Sequence, residues 1–221
     1  MRGNRLLHNG RLPNGRRVDV EIANGLICAV SDSSTPPDDD TTVDDLGGWL
    51  ILPALAEPHA HLDKALTAEM VPNPNGDLDS GHEAWTAAAQ AGKFTHEGMV
   101  ARAIHAIDLL IVHGVTAIRS HVNVGGEFGA RNVEAMQEAR SRFEGLVDIQ
   151  LVALVITPIT GTEGAPNRAA LAEAIEVGVD LIGGAPNFDT NPSRFISTAL
   201  DAATDAGRRI DLHVDETLDP S

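Results

Sequence analysis

The chain has 221 residues, 43% of them hydrophobic and 22% charged, which supplies apolar material for a sizeable core and argues against a disordered segment. Its 16 Lys and Arg face 32 Asp and Glu, so a formal net charge of −16 excludes a basic nucleic-acid footprint and any attraction to anionic lipid. One cysteine, Cys28, rules out an intrachain disulfide and a thiolate-rich zinc site; with no apolar run of signal-peptide or membrane-spanning length, the expected setting is the cytoplasm.

In chain order, residues 5–32 predict short strands. Asn9-Gly10 and Asn24-Gly25 are hairpin-type turn signals, and residues 18–22 alternate apolar and polar as a half-exposed strand does. Residues 31–42, rich in Ser, Thr, Pro and Asp, read as a solvated loop. The stretch 1–50 is therefore expected to form a small β module, an incomplete β-sandwich whose pairing partners lie far away in sequence. Trp49-Leu50-Ile51-Leu52-Pro53-Ala54-Leu55 predicts a buried strand leading into Glu57-Pro58-His59-Ala60-His61. A polar loop at roughly 71–82 is long enough to imply function. Thr95 then suits an N-cap, with Met99, Val100, Ala103, Ile104, Ile107, Leu110 and Ile111 on one apolar face and Gly114 closing the helix.

From there the pattern repeats. Strands are predicted at 115–122, 148–156, 179–183 and 209–214, and helices at 132–143, 167–176 and 193–206. The spacing is about 30 residues, one βα unit. Mostly apolar strands alternating with helices predict a parallel sheet covered by helices. A doubly wound sheet is the first alternative, but no Gly-rich dinucleotide fingerprint follows any strand. The five strands, counting the one that ends at His59, make 51–221 the first part of a (β/α)8 TIM barrel that stops after strand five. The strand at 209–214 is then expected to be an exposed apolar edge, prone to aggregation or to pairing with another polypeptide, a homo-oligomer included.

His59 and His61 sit two apart at the C-terminal end of a predicted strand, so both imidazoles project to one face, at the rim where barrel enzymes place their sites. Neutral imidazole ligates zinc or iron, although an isolated His-x-His more often arises by accident. Ile210-Asp211-Leu212-His213-Val214-Asp215-Glu216 repeats the theme: an apolar strand ends in His213, with Glu216 just beyond it. Asp63, on the same face as the histidine pair, suits a substrate contact, orientation of a ligand, or an N-cap. His121, near the end of the second barrel strand, suits either a supporting role at the rim or plain packing.

These segments resemble a known family. Pro53-Ala54-Leu55-Ala56-Glu57-Pro58-His59-Ala60-His61-Leu62-Asp63-Lys64 is similar to the strand-one signature of the cytosine-deaminase branch of the amidohydrolase superfamily. Ile118-Arg119-Ser120-His121-Val122, Asp148-Ile149-Gln150-Leu151-Val152-Ala153 and Gly183-Gly184-Ala185-Pro186-Asn187-Phe188 resemble the family's strands two, three and four. His213-Val214-Asp215-Glu216 resembles its His-Cys-Asp-Glu. The resemblance runs over nearly the whole chain in the correct order.

It implies a fold, a TIM barrel behind a β module, and a reaction: hydrolytic deamination of an aminated nitrogen heterocycle. His59, His61 and His213 match the ligands of one divalent metal ion, zinc or iron, and Glu216 matches the glutamate that shuttles protons while a metal-activated hydroxide attacks the ring. The family's later ligands, a histidine on strand six and an aspartate on strand eight, match nothing before Ser221. Ala185-Pro186-Asn187 stands where binuclear relatives carry a bridging lysine, which favours one metal. Leu154 and Ile156 fall where the family contacts substrate. Ile156 replaces the glutamine that reads a pyrimidine amide, which loosens the link to cytosine. The alternatives are hydrolysis of another C–N bond, such as a triazine alkylamine or a cyclic amide, and a catalytically inactive fragment.

Overall fold

A computed structural model describes residues 4–33, 41–73 and 75–216, so most of the loop expected at 31–42 lies outside the described residues. The chain divides into two compact units, Met1–Ala54 and Leu55–Ser221.

The first unit is a four-stranded sheet of β1 (Arg5–Arg11), β2 (Arg17–Ala23), β3 (Leu26–Asp32) and β4 (Thr42–Asp45), in the order β3-β2-β1-β4. The first three strands are antiparallel and β4 runs parallel to β1. Asn24 and Gly25, both with positive φ, make the tight turn between β2 and β3. Asn9-Gly10 is no turn. Asn9 has φ 54° inside β1, at an irregularity in the β1–β2 register, while the chain reverses at residues 12–16, where Gly15 has φ 86°. A bulge and a turn draw on the same left-handed backbone tolerance, so an Asn-Gly pair marks either. The buried strand expected at 49–55 is also corrected. Only an isolated bridge pairs Leu50 with Arg11, and Trp49, Leu50 and Leu52 are exposed. Pro53, which lacks an N–H, precedes the true strand start at Leu55.

The second unit is built on β5 (Leu55–Ala60), β6 (Val115–Val124), β7 (Asp148–Val155), β8 (Leu181–Gly184) and β9 (Arg209–Leu212). They pair in sequence order and all in parallel. A doubly wound sheet reverses strand order at a switch point. This sheet never reverses, and it curls as the first five strands of a TIM barrel do.

Helices α1 (Leu78–Gln90), α2 (His96–Val112), α3 (Arg131–Ser141), α4 (Ala165–Val177) and α5 (Pro192–Asp205) fill the connections. Helix α2 starts at the Thr95 cap, whose hydroxyl accepts from the Gly98 N–H, and Gly114 follows with φ 87°. Its inner face, Met99, Val100, Ala103 and Ile107, is buried in a core shared with Val122, Val124, Leu151 and Ala153 of the central strands and Phe195 of α5. Among the described residues, no helix is long and apolar enough to cross a membrane.

The strands approach most closely at Gly183. A Cβ there would lie 2.5 Å from the Asp211 carbonyl oxygen and 2.6 Å from Val152 Cγ1. Neither can retreat easily, one being backbone and the other a fully buried side chain. Gly183→Ala is therefore expected to destabilise this unit by about 1–3 kcal/mol in urea denaturation, the usual cost of overpacking; an unchanged midpoint would mean that β8 and β9 have room to part.

Candidate metal centre

Strand geometry builds the site. Alternate residues of β5 share a face, so His59 projects to the same side as His61, which lies just beyond the strand. The β5–β6 ladder ends with Ala60 opposite Ser120, and side chains then take over. Ser120 Oγ accepts from the Leu62 N–H at 3.0 Å, and Asp63 Oδ2 accepts from the Asn123 N–H at 3.0 Å and from Asn132 Nδ2 at 3.2 Å. The end of β5 is thus tied to β6 by buried side chains.

His213 arrives from the opposite edge. In a flat sheet, four strand spacings would put β5 and β9 roughly 19 Å apart. The curl brings His61 Nε2 to within 3.4 Å of His213 Nε2. His59 lies 5.3 Å from His61 and 4.7 Å from His213, ring centre to ring centre. His121 of β6 completes the group at 4.5, 5.5 and 4.6 Å from His59, His61 and His213. One nitrogen from each of the four imidazoles lies within 4.8 Å of the others.

These residues fit a divalent metal. Four imidazoles bound at about 2.0–2.1 Å in a tetrahedron would hold their ring centres roughly 5 Å apart, close to the spacing here. His61 Nδ1, His213 Nδ1 and both nitrogens of His121 are buried without an aligned hydrogen-bond partner. Buried polar atoms seldom stay unpaired without a ligand or a function. Protonation is disfavoured as well. Burial, then the charge of Lys64 and the neighbouring imidazoles, pushes His61 down to about 3. Burial and His213 bring His121 down to about 4 against the opposing pull of Asp211. Burial also lowers His213, although Glu216 works the other way. His61 and His121 are therefore neutral at pH 7, the state in which imidazole ligates.

Below the histidines lies a polar floor. Arg119 donates to Asp211 Oδ2 at 2.7 Å and to Gln150 Oε1 at 2.9 and 3.0 Å, and Asp211 Oδ1 lies 3.3 Å from His121 Nε2. Burial works to raise the Asp211 carboxyl, but the hydrogen bond from Arg119, with the nearby His121 ring, outweighs it and holds it below the ordinary carboxylate value.

Above the histidines opens a cavity of about 850 Å³, within the range of small-molecule sites. His61, His213, Glu216, Leu154 and Ile156 line it. The far wall comes from the loop before α1 and from the helix itself, with His82 and Trp85. His82 meets Phe188 edge-on at 5.6 Å, and Lys64 Nζ sits 5.3 Å from the centre of the Trp85 ring. Asp215 adopts φ 60°, and Asn187 Nδ2 donates to the Glu216 carbonyl at 3.0 Å, so the turn that carries Glu216 is held from the end of β8.

Of the residues singled out in the sequence, His59, His61, His121 and His213 come together, and Glu216, Leu154 and Ile156 face the adjoining cavity. Asp63 is not on the cavity wall. It is 1% exposed, and one of its oxygens is committed to Asn123 and Asn132, which ties the chain after β5 to β6 and α3. His121 is fully buried within the histidine group and is likewise not on the wall. The polar floor escaped sequence reasoning, although charged residues inside apolar strands are an available signal. So did α1: the loop expected to run to 82 ends at Asp77, whose side chain accepts from the Ser80 N–H as an N-cap.

No family model matches the chain. It is 26% identical over 203 residues to a pterin deaminase from Rhizobium rhizogenes, covering 92% of this chain and 46% of that protein. Among solved structures, it is similar to a 5-methylcytosine deaminase from Klebsiella pneumoniae liganded with 5-fluorocytosine, with a TM-score of 0.83 and 29% identity over 98% of this chain and 52% of that one. It also resembles an N-isopropylammelide isopropylaminohydrolase from Burkholderia multivorans, with a TM-score of 0.80 and 26% identity over 97% of this chain and 54% of that one. The chain spans about half the length of the curated relatives it matches. With the parallel, curling sheet and the order of its motifs, these likenesses match the chain to the N-terminal portion of amidohydrolase-superfamily deaminases and hydrolases.

Proposed function

We propose that this chain belongs to a metal-dependent hydrolytic deaminase of an aminated nitrogen heterocycle, with one zinc or iron ion held by His59, His61 and His213. The observation that carries this reading is the convergence of four imidazoles beside Glu216 at the floor of an open cavity. Bound there, a divalent ion supplies Lewis acidity that brings the pKa of water towards neutrality. Glu216 takes one proton from the attacking water and gives it to the ring nitrogen, then takes the remaining hydroxyl proton from the tetrahedral adduct and gives it to the departing amine, so ammonia leaves and a ring carbonyl remains. Leu154 and Ile156 pack against the ring, and the cavity excludes bulk water from it. Residues 1–50 serve as a supporting β module and 51–221 as the catalytic barrel portion. A cytoplasmic setting suits a chain whose one cysteine, Cys28, is free.

Ile156 favours a second reading, release of an alkylamine. An aliphatic wall cannot pair a pyrimidine amide but does accept an alkyl group, and one structural relative is an N-isopropylammelide isopropylaminohydrolase.

The test is to load the protein with zinc or iron and assay ammonia and isopropylamine release from 5-methylcytosine, pterin and N-isopropylammelide. Release from at least one is expected, with Glu216→Gln lowering kcat by about 10²–10⁴ while metal uptake persists. Metal uptake without turnover of any of them would mark a metal-binding module instead of an enzyme. Acid offers a separate check on the metal-free protein. The unfolded chain protonates His61 and His121 as pH falls through about 6.5, whereas the folded chain holds them neutral down to about 3 and about 4. Their contribution is therefore fully present above pH 6.5 and is lost on acidification. Urea midpoints in chelator should fall between pH 7 and pH 5, above the carboxylate range; a rising midpoint would contradict a neutral cluster.

A further inference from the structure

The feature that the proposed chemistry leaves unused is the polar floor. Asp211 lies two residues before His213 on β9, and Arg119 lies two before His121 on β6. Period-two alternation puts all four side chains on the inner face, in two layers. The lower layer is a chord across the curl. Arg119 and Asp211 belong to strands separated by β7 and β8, roughly 14 Å apart in a flat sheet, yet their side chains meet at 2.7 Å. Gln150 of β7 accepts two further bonds from the same guanidinium and fixes its plane. Asp211 spends its other oxygen on His121, the fully buried member of the histidine group. Neither nitrogen of that ring has an aligned hydrogen-bond partner, and Asp211 Oδ1 faces Nε2 at 3.3 Å.

We propose that Asp211 is a positioning residue for the metal centre: one oxygen holds His121 as the tautomer protonated on Nε2, and the other, braced by Arg119, draws β9 towards β6 so that His213 meets His61. A carboxylate behind an imidazole fixes the ring's tautomer and angle, and loss of such a partner costs about 10–100-fold in metal affinity. Arg119 makes the arrangement durable, because its guanidinium pairs with Asp211 at 2.7 Å inside a half-buried layer while Gln150 fixes its plane. The inference rests on the metal-centre reading for its purpose and on the Asp211–His121 contact for its geometry, and the two are tested apart.

The experiment titrates the protein with Co²⁺, reading the visible spectrum and the affinity by competition with a chromophoric chelator, alongside long-range ¹H–¹⁵N NMR of the histidine rings in chelator. In the wild type, His121 should be the Nε2-protonated tautomer, and Co²⁺ should bind with one set of ligand-field bands. Asp211→Ala should lower Co²⁺ affinity by about tenfold or more and shift the bands. Asp211→Asn keeps an acceptor oxygen for His121 but loses the ion pair, so it should fall between the two. Arg119→Met should weaken Co²⁺ binding while leaving Asp211 on His121. Far-UV circular dichroism and thermal melting separate folding from positioning: a purely structural Asp211 would lower the melting temperature with the affinity of the folded protein unchanged. Wild-type Co²⁺ affinity and spectrum in both Asp211 variants would overturn the proposal, as would a His121 tautomer protonated on Nδ1 in the wild type. If the wild type binds neither Co²⁺ nor Zn²⁺, the metal reading fails and the NMR tautomer still decides the Asp211–His121 contact.

Discussion

A histidine pair on one edge of a five-stranded sheet meets a histidine from the other edge only because the sheet between them curls. Everything chemical in this chain depends on that curvature. Parallel strands each followed by a helix supply it in general, since helices packed on one face force the other face inward. In this chain the inner face reinforces it. Gly183 leaves no side chain between β7 and the β9 backbone, and Arg119 spans to Asp211 beneath the imidazoles. Flattening the sheet would break that ion pair, expose the layer and separate His213 from His61.

The division of labour within the site follows from depth. Deepest is a charged layer tied together by Arg119, then the imidazoles, of which His61, His121 and His213 keep buried nitrogens without an aligned partner, then a cavity whose wall is partly aliphatic. Satisfied polar groups hold position; unsatisfied ones bind. Burial reinforced by neighbouring charge keeps His61 and His121 neutral, so their readiness to ligate is a consequence of packing. Above them Glu216 lies three residues beyond His213, carried on a turn that Asp215 bends and Asn187 holds.

What the sequence made legible was whatever is encoded locally. The period of α2 with its Thr95 cap, the 30-residue βα rhythm, and the strand-ending histidines each need only neighbours in the chain to be recognised. Two local signals misled. Asn9-Gly10 marks a left-handed backbone position that a bulge uses as well as a turn, and the apolar run at 49–55 lies mostly exposed, outside any strand until Leu55. The floor of Arg119, Gln150 and Asp211 was invisible for a different reason. Its members come from three strands, and their meeting depends on a curl that no single segment contains. Asp63 shows the same limit: its place beside the ligand pair is plain in the sequence, but its partners Asn123 and Asn132 lie 60 and 69 positions away.

The span of the ligand set has a consequence for how the protein comes into being. His61 and His213 stand 152 positions apart, on the first and last strands of the sheet. Each βα unit can collapse from contacts local to it, but the histidine group cannot exist in any partial assembly that lacks either edge. During synthesis the first two ligands emerge long before the one that completes them, and closing so long a loop is among the slowest steps of folding. The site therefore forms only after the strands between its ligands, and its presence reports that each of them has found its place.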